Sequence, residues 1–237
     1  MHAFANPARF LKIARPLTGW FGWFGAALIA FGVGWGLFFA PPDYLQGESV
    51  RIMYIHLPSA WLSLAGWSGI AVASLMQLVW RHPLAAVAAR AMAAPGALFT
   101  ALCLVTGSLW GKPTWGTYWE WDGRMTSELI LLFVYIGYMA LAQADEERNG
   151  DGRIPAILGL VGAINIPIIH YSVDWWRTLH QGSSIGLGGW SIDPSMLWPL
   201  LISLFGFSFL FGCIVLMRMR AAIARNRVEA RLRRMAG

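Results

Sequence analysis

Histidine is the residue type in this chain that is best suited to chemistry. Of its five histidines, His56, His170 and His180 lie at or just beyond the ends of long apolar segments. A lone imidazole in such a place is most often a hydrogen-bonded anchor, but a neutral imidazole is also a good axial ligand for haem iron. Composition alone leaves all three histidines open as ligands.

Tryptophan is concentrated in one short segment. Residues 110–124, WGKPTWGTYWEWDGR, hold four tryptophans and a tyrosine beside two acids, a lysine and an arginine. Aromatic belts at membrane interfaces account poorly for so tight a cluster interleaved with acids. A flat porphyrin requires aromatic walls and cations for its two carboxylates. The candidate walls are Trp115, Tyr118, Trp119, Trp121, Trp175 and Trp176, and the candidate carboxylate partners are Arg51, Lys112, Arg124 and Arg177.

These side chains must be positioned by helices that cross a membrane. The chain has 237 residues, of which 57% are hydrophobic and 13% charged, a composition typical of membrane proteins. A hydrocarbon core needs about 20 apolar residues per helix. Six such runs without Lys or Arg lie near 20–40, 58–80, 91–110, 126–143, 154–171 and 196–217. The sequence therefore predicts a single all-α domain over 1–237, with six transmembrane helices and the tryptophan-rich segment between helices three and four.

The basic residues predict the orientation of these helices. Lys and Arg in short loops favour the cytoplasm, and most of the 18 basic residues fall inside if both termini are cytoplasmic. The tryptophan-rich loop and the three candidate histidines then face outward. The basic tail, 218–237, is expected to lie near anionic lipid headgroups or to contact a cytoplasmic subunit, and not to bind nucleic acid, because no aromatic residues interleave its charges.

Several residues have ordinary structural explanations. We expect Cys103 and Cys213 to be small core residues, and Glu128 to stabilise the first turn of helix four through the helix dipole. Asp122 is expected to pair with Arg124 or to orient a tryptophan N–H.

The fifth helix contains a proline near its outer end. Pro167 should bend the helix there, and Asn165 should satisfy a backbone group that the proline frees.

Nothing in the sequence indicates that this chain is an enzyme. The stretch GSLWGKPT, 107–114, has the wrong glycine spacing for a phosphate-binding loop, so any ATP hydrolysis is expected in a partner. No chemistry carried by a serine, cysteine or carboxylate nucleophile is expected.

The tryptophan-rich segment resembles a known signature. WGTYWEWD, residues 115–122, is similar to the WGxxWxWD signature of the haem-handling membrane proteins of cytochrome c maturation. RIMYIHLPSAW, 51–61, and NIPIIHYSVDWWRTLHQGS, 165–183, extend the resemblance to the six-helix CcmC family over essentially the whole chain.

The resemblance implies a role for each histidine. His56 and His180 would be the paired axial ligands of a transiently bound haem b, whereas His170 would only support or pack against the site. The residues expected to contact haem are then His56, His180, Trp115, Trp119, Trp121, Tyr118, Asp122, Arg51, Arg124, Trp175, Trp176 and Arg177.

The resemblance also implies a function and a location. The chain would hold haem at the periplasmic face of a bacterial inner membrane and deliver it to the haem chaperone CcmE, beside CcmA, CcmB and CcmD. Two alternatives stay open. A membrane-bound b-type cytochrome would keep its haem, usually between facing helices, and a haem transporter would be expected to show intramembrane charges and broken helices, of which the sequence shows almost none.

Overall fold

The computed structural model describes residues 6–176, 178–180, 185–186, 189–190 and 192–236. In these residues a 3₁₀ turn, Glu48–Ile52, precedes the second helix, and two short antiparallel strands, Ile185–Gly186 (β1) and Gly189–Trp190 (β2), pair Ile185 with Trp190. The α-helices are α1 (Pro7–Phe38), α2 (Met53–Trp80), α3 (Ala85–Trp115), α4 (Gly123–Glu147), α5 (Arg153–Gly162), α6 (Asn165–Trp175) and α7 (Pro194–Ala236).

Six helical segments of the described chain are long and apolar enough to cross a membrane, with α5 and α6 together forming the fifth. This confirms the predicted all-α protein with six spans. The last helix, α7, has 43 residues and is about 65 Å long at 1.5 Å per residue, roughly twice the thickness of a hydrocarbon core. Its basic C-terminal part therefore extends beyond the span, and Arg225 Nη2 lies 2.7 Å from Glu146 Oε1 of α4.

The fourth helix begins earlier than the apolar run predicts. Asp122 caps it, because its Oδ1 accepts a hydrogen bond from Met125 N at 2.8 Å. With Gly123 as the first helical residue, Glu128 lies in the second turn and is buried. The expectation that Glu128 stabilises the first turn is wrong, since the dipole effect fades within that turn.

The fifth span is interrupted between α5 and α6. Pro167 has no N–H to donate to the carbonyl of Ala163, which instead accepts from Ile166 N at 3.1 Å. The helix is therefore interrupted, about one turn before the proline. Asn165 does not bond the freed carbonyl. Its Nδ2 donates to the Ser127 carbonyl at 2.8 Å and ties α6 to α4.

The core of the bundle is aromatic where α2 meets α4. Trp67 is fully buried, and its ring centroid lies 4.8 Å from that of Tyr135 and 5.8 Å from that of Tyr138, both edge to face. Cys103 and Cys213 are free and buried, as expected for small core residues. The packed core supports the helix ends that carry the candidate site.

Candidate functional site

A cavity of about 1140 Å³ lies where α2 begins and α3 ends. All three candidate histidines line it, although they are far apart in the sequence. The fold therefore gathers residues from α2, α3, α4, α6, α7 and the connecting segments around one space. Its lining includes Asp43, Gln46, His56, Gly107, Trp110, Trp115, Arg124, His170, Asp174, Leu179, His180, Asp193 and Met196.

His56 lies in the first turn of α2, and its tautomer follows from its hydrogen bond. Its Nδ1 is 3.0 Å from Thr106 Oγ1 of α3. The Thr106 hydroxyl donates its own hydrogen to the Leu102 carbonyl at 2.6 Å, so its oxygen accepts from His56 Nδ1–H. The Nε2 lone pair of His56 is thus available to a ligand or metal. A Cβ at Gly107 would lie 3.0 Å from His56 Cε1, so a glycine suits this close approach.

His180 lies after α6 and is held by a carboxylate. Its Nδ1 is 2.9 Å from Asp122 Oδ2, and the Thr178 hydroxyl bonds the same carboxylate. Thr178 Oγ1 also accepts from His180 N at 3.1 Å. An ionised carboxylate only accepts hydrogen bonds, so His180 Nδ1 carries the proton and Nε2 is free. The expected pairing of Asp122 with Arg124 or a tryptophan N–H is wrong, because its carboxylate holds His180 and Thr178 and caps α4.

Burial and hydrogen bonds shift the pKa values of His180 and Asp122. Burial lowers the pKa of His180 below its ordinary value, although the hydrogen bond and charge of Asp122 oppose it. For Asp122, burial is the largest single effect and raises the pKa. The hydrogen bonds from Thr178, Met125 N and His180 together outweigh it, so the pKa of Asp122 is lowered. A neutral imidazole whose Nδ1–H is held by a carboxylate is well suited to metal ligation through Nε2.

Each of these two histidines has a tryptophan beside it. The ring centroids of Trp115 and His180 are 4.8 Å apart, and those of Trp110 and His56 are 5.6 Å apart. Trp110 is itself fixed, since its Nε1 donates to Gln46 Oε1 at 2.8 Å. The cavity therefore has an aromatic wall next to each imidazole.

The other predicted aromatic residues are not among the described residues that line the cavity. Trp119 and Trp121 pack edge to face with centroids 5.2 Å apart, and Trp121 is 72% exposed. Tyr118, Trp175 and Trp176 are also exposed. Of the six predicted aromatic walls, the described lining therefore contains Trp115 and not the other five.

Of the predicted cations, Arg124 reaches the cavity and Arg51 does not. Arg124 lines the cavity, and its guanidinium forms no hydrogen bond or ion pair with another described residue. Arg51 instead donates to the carbonyls of Gly36 (2.9 Å) and Leu37 (2.7 Å) and pairs with Glu48, so it caps α1 and does not reach the cavity.

Lys112, another predicted cation, is not among the described lining residues. Lys112 donates to the Gly116 carbonyl at 3.0 Å and lies 5.2 Å from the Tyr118 ring centroid. Arg177 lies outside the described residues.

Sequence comparisons identify the family. The family model for Heme exporter protein C, CcmC, matches residues 1–234. The chain belongs to this family. It is 52% identical over 227 residues to Heme exporter protein C of Bradyrhizobium diazoefficiens, covering 95% of this chain and 86% of that protein. Its identity to Heme exporter protein C of Escherichia coli K12 is 48% over 223 residues, covering 94% of this chain and 90% of the relative. Its identity to Heme exporter protein C of Paracoccus denitrificans is 39% over 233 residues, covering 98% of this chain and 96% of that protein.

The sequence did not single out three residues that position the two histidines of this CcmC-family site, Thr106, Gly107 and Thr178. Thr106 and Gly107 are ordinary helix residues by pattern, and only the packing of α2 on α3 brings them to His56. Trp110 belongs to the tryptophan-rich segment but was not among the predicted haem contacts. Thr178 could have been predicted from the sequence. The hydroxyl of a threonine two residues before a histidine can bond the backbone N–H of that histidine and so orient its side chain.

Proposed function

We propose that this chain binds haem in the outer cavity, with His56 and His180 as axial iron ligands, and passes it to the chaperone CcmE for cytochrome c maturation. Family membership supports the haem-handling role. One observation supports the proposal that His56 and His180 are the iron ligands. Two histidines of the same cavity each have Nδ1–H engaged by an acceptor, which leaves two Nε2 lone pairs free.

The cavity fits a porphyrin in three respects. A porphyrin supplies four nitrogens to its iron and leaves two axial positions, which matches two free imidazole nitrogens. The volume of about 1140 Å³ is slightly above that of ordinary ligand pockets, roughly 300–1,000 Å³, as a large ligand requires. Arg124, which has no partner among the described residues, can bind a propionate with its planar fork of donors.

The placement of the site follows from the charge pattern. Both termini lie in the cytoplasm in this proposal, and the cavity opens at the periplasmic face of a bacterial inner membrane. The chain acts beside CcmA, CcmB and CcmD, with ATP hydrolysis assigned to a partner. Membrane lipid surrounds the six spans.

Delivery of haem is favoured over permanent retention by the position of the ligands. His56 lies at a helix end, His180 lies on a connecting segment, and His170 and Asp174 on the cavity lining are exposed. Electron carriers benefit from a buried haem between facing helices, which this arrangement does not provide.

A transfer assay tests the proposal. The full chain, loaded with haem in detergent or nanodiscs, is mixed with haem-free CcmE, and covalent haem on CcmE is measured after denaturing electrophoresis. The chain is expected to lose haem as CcmE gains it. His82→Ala is the matched control, because His82 lies between α2 and α3 at the opposite end of the bundle and should leave transfer unchanged. Haem that stays on the chain in the presence of active CcmE would instead identify an electron carrier.

A further inference from the structure

Glu128 is a buried acid that the proposed haem site does not use. It is the only Asp or Glu within the six apolar runs. Its side chain is 6% exposed, and its Oε1 has no hydrogen-bond partner among the described residues. An ionisable group in such a position is costly and marks a functional site more often than a structural one.

The position of Glu128 connects it to the cavity. Arg124 lies four residues earlier on α4, and side chains with this spacing share one face of a helix. Arg124 lines the cavity, and its charge acts on Glu128. The same arginine therefore lines the ligand space and shares a helix face with the buried acid.

The other groups around Glu128 offer no competing charge. Cys103 of α3 and Tyr135 of α4 are its ionisable neighbours, a thiol and a phenol. Ser63 of α2 lies beside the carboxyl group, and α6 presents the amide of Asn165 to the preceding residue of α4. Arg124 is thus the cation among these groups: it forms no direct ion pair with Glu128, but its charge favours the ionised form of that carboxyl group.

We infer that Glu128 is a proton site linked to ligand binding: it balances Arg124 before the ligand binds, and takes up a proton from water when a ligand carboxylate pairs with Arg124. This inference rests on the proposed function, since the ligand carboxylate is a haem propionate. The step adds one proton to the Glu128 carboxylate and returns it to water on release. A second anion beside Arg124 would otherwise leave one carboxylate buried without a countercharge.

Infrared difference spectroscopy tests this linkage. The full chain is labelled uniformly with ¹³C, so that protein carboxyl bands separate from those of the haem propionates, and spectra are recorded before and after haem addition. The C=O stretching band of one protonated protein carboxyl group should appear with haem. It should not appear with haem dimethyl ester, which keeps the iron and the ring but has no carboxylates.

Two variants assign the band. Glu128→Gln keeps the size of the side chain and should bind haem without the new band. Asp145→Asn is the matched control, because Asp145 is another buried acid of α4 whose carboxylate accepts from Gly152 N, a bond that an amide oxygen can keep. That variant should retain the band.

The outcomes separate this inference from the proposed function. Haem binding without a new carboxyl band, the same band with the diester, or the band persisting in Glu128→Gln would each overturn the proton linkage while haem binding stands. Absence of haem binding by the unmodified chain would overturn the proposed function itself. The comparison of haem with its diester needs no variant, so a misfolded Glu128→Gln protein would not prevent the test.

Discussion

His56 belongs to a helix, whereas His180 lies on the segment between α6 and α7. The His56 ring packs against α3, where a neutral hydroxyl, that of Thr106, accepts from its Nδ1. The His180 side chain is 21% exposed, and a carboxylate, that of Asp122, accepts from its Nδ1. Both imidazoles therefore leave Nε2 free, but His56 is held by helix packing and a hydroxyl group, and His180 by a carboxylate.

This difference indicates how a site can hold haem and still release it. Packing fixes a ligand on a helix, whereas a ligand on a connecting segment depends on its hydrogen bonds. A carboxylate partner also makes an imidazole a stronger donor to a metal than a hydroxyl partner does. In the proposed site the stronger ligand would thus be on the less constrained element. We expect release to begin on the His180 side, because His180 depends on hydrogen bonds that can break without moving a helix.

The largest expected effect comes from removing either imidazole. His56→Ala and His180→Ala should each abolish six-coordinate low-spin haem, because each removes one of two axial ligands. His170→Ala should leave the absorption spectrum largely intact. A His170→Ala protein that lacks the low-spin signal, with a His180→Ala protein that retains it, would reverse the assignment.

A second pair of variants compares the hydrogen bonds behind the two ligands. Asp122→Asn should weaken haem binding by about 10- to 100-fold, since the group that orients His180 loses its charge. Asparagine also caps helices well, so α4 should keep its start. Thr106→Val should have a smaller effect, because packing still holds His56. Haem titrations followed by absorption measure both affinities, and a larger loss in Thr106→Val would contradict the proposed difference between the two sides.

We expect Trp115 to contribute to haem binding and Trp121 to the transfer of haem to CcmE. Trp115→Ala should weaken haem binding by about tenfold or less, because one aromatic contact contributes about 0.5–1.5 kcal/mol beyond its buried area. Trp121 lies outside the lining, so Trp121→Ala should bind haem normally and slow the loading of CcmE. Equal affinities of the unmodified and Trp115→Ala proteins would exclude a stacking role for that ring.

The smallest expected effect is a change in the titration of His180. Its pKa is already lowered by burial, and Asp122 opposes that shift. Asp122→Asn should therefore lower the pKa of His180 further. NMR of the haem-free chain with ¹³C-labelled histidine measures it, and a rise in the pKa would contradict the assigned contact.

The same shift has a consequence for stability. The pKa of His180 is lower in the folded protein than in the unfolded chain, so the unfolded chain binds more protons between these two values. The contribution of His180 to stability is therefore fully present at pH values above the ordinary pKa of histidine. It is lost as the pH falls through the lower pKa that His180 has in the folded protein.

The sequence predicted the spans better than the contacts between them. Hydrophobic length alone predicts six membrane-crossing segments, because the bilayer sets that length. It did not predict the start of α4, since the Asp122 cap extends the helix beyond its apolar run. The histidines and tryptophans also predicted a site at one end of the helices, and all three candidate histidines line the cavity there.

The partners of those residues could not be predicted in the same way. Asp122 and His180 are 58 residues apart, and their contact depends on how α4 and the end of α6 pack. Arg51 has the residue type for a propionate partner, yet the free carbonyls at the end of α1 take its donors. Residue type indicated which side chains could bind haem, and only tertiary packing selects which of them reach the cavity.

Electron–nuclear double resonance of the haem-loaded full chain tests the central claim most directly. With ¹⁵N-labelled histidine and low-spin ferric haem, the account predicts hyperfine coupling to two axial imidazole nitrogens from the protein. His56→Ala and His180→Ala should each remove one of them, and His170→Ala should keep both. Coupling to two histidine nitrogens in a protein that lacks both His56 and His180 would contradict the account.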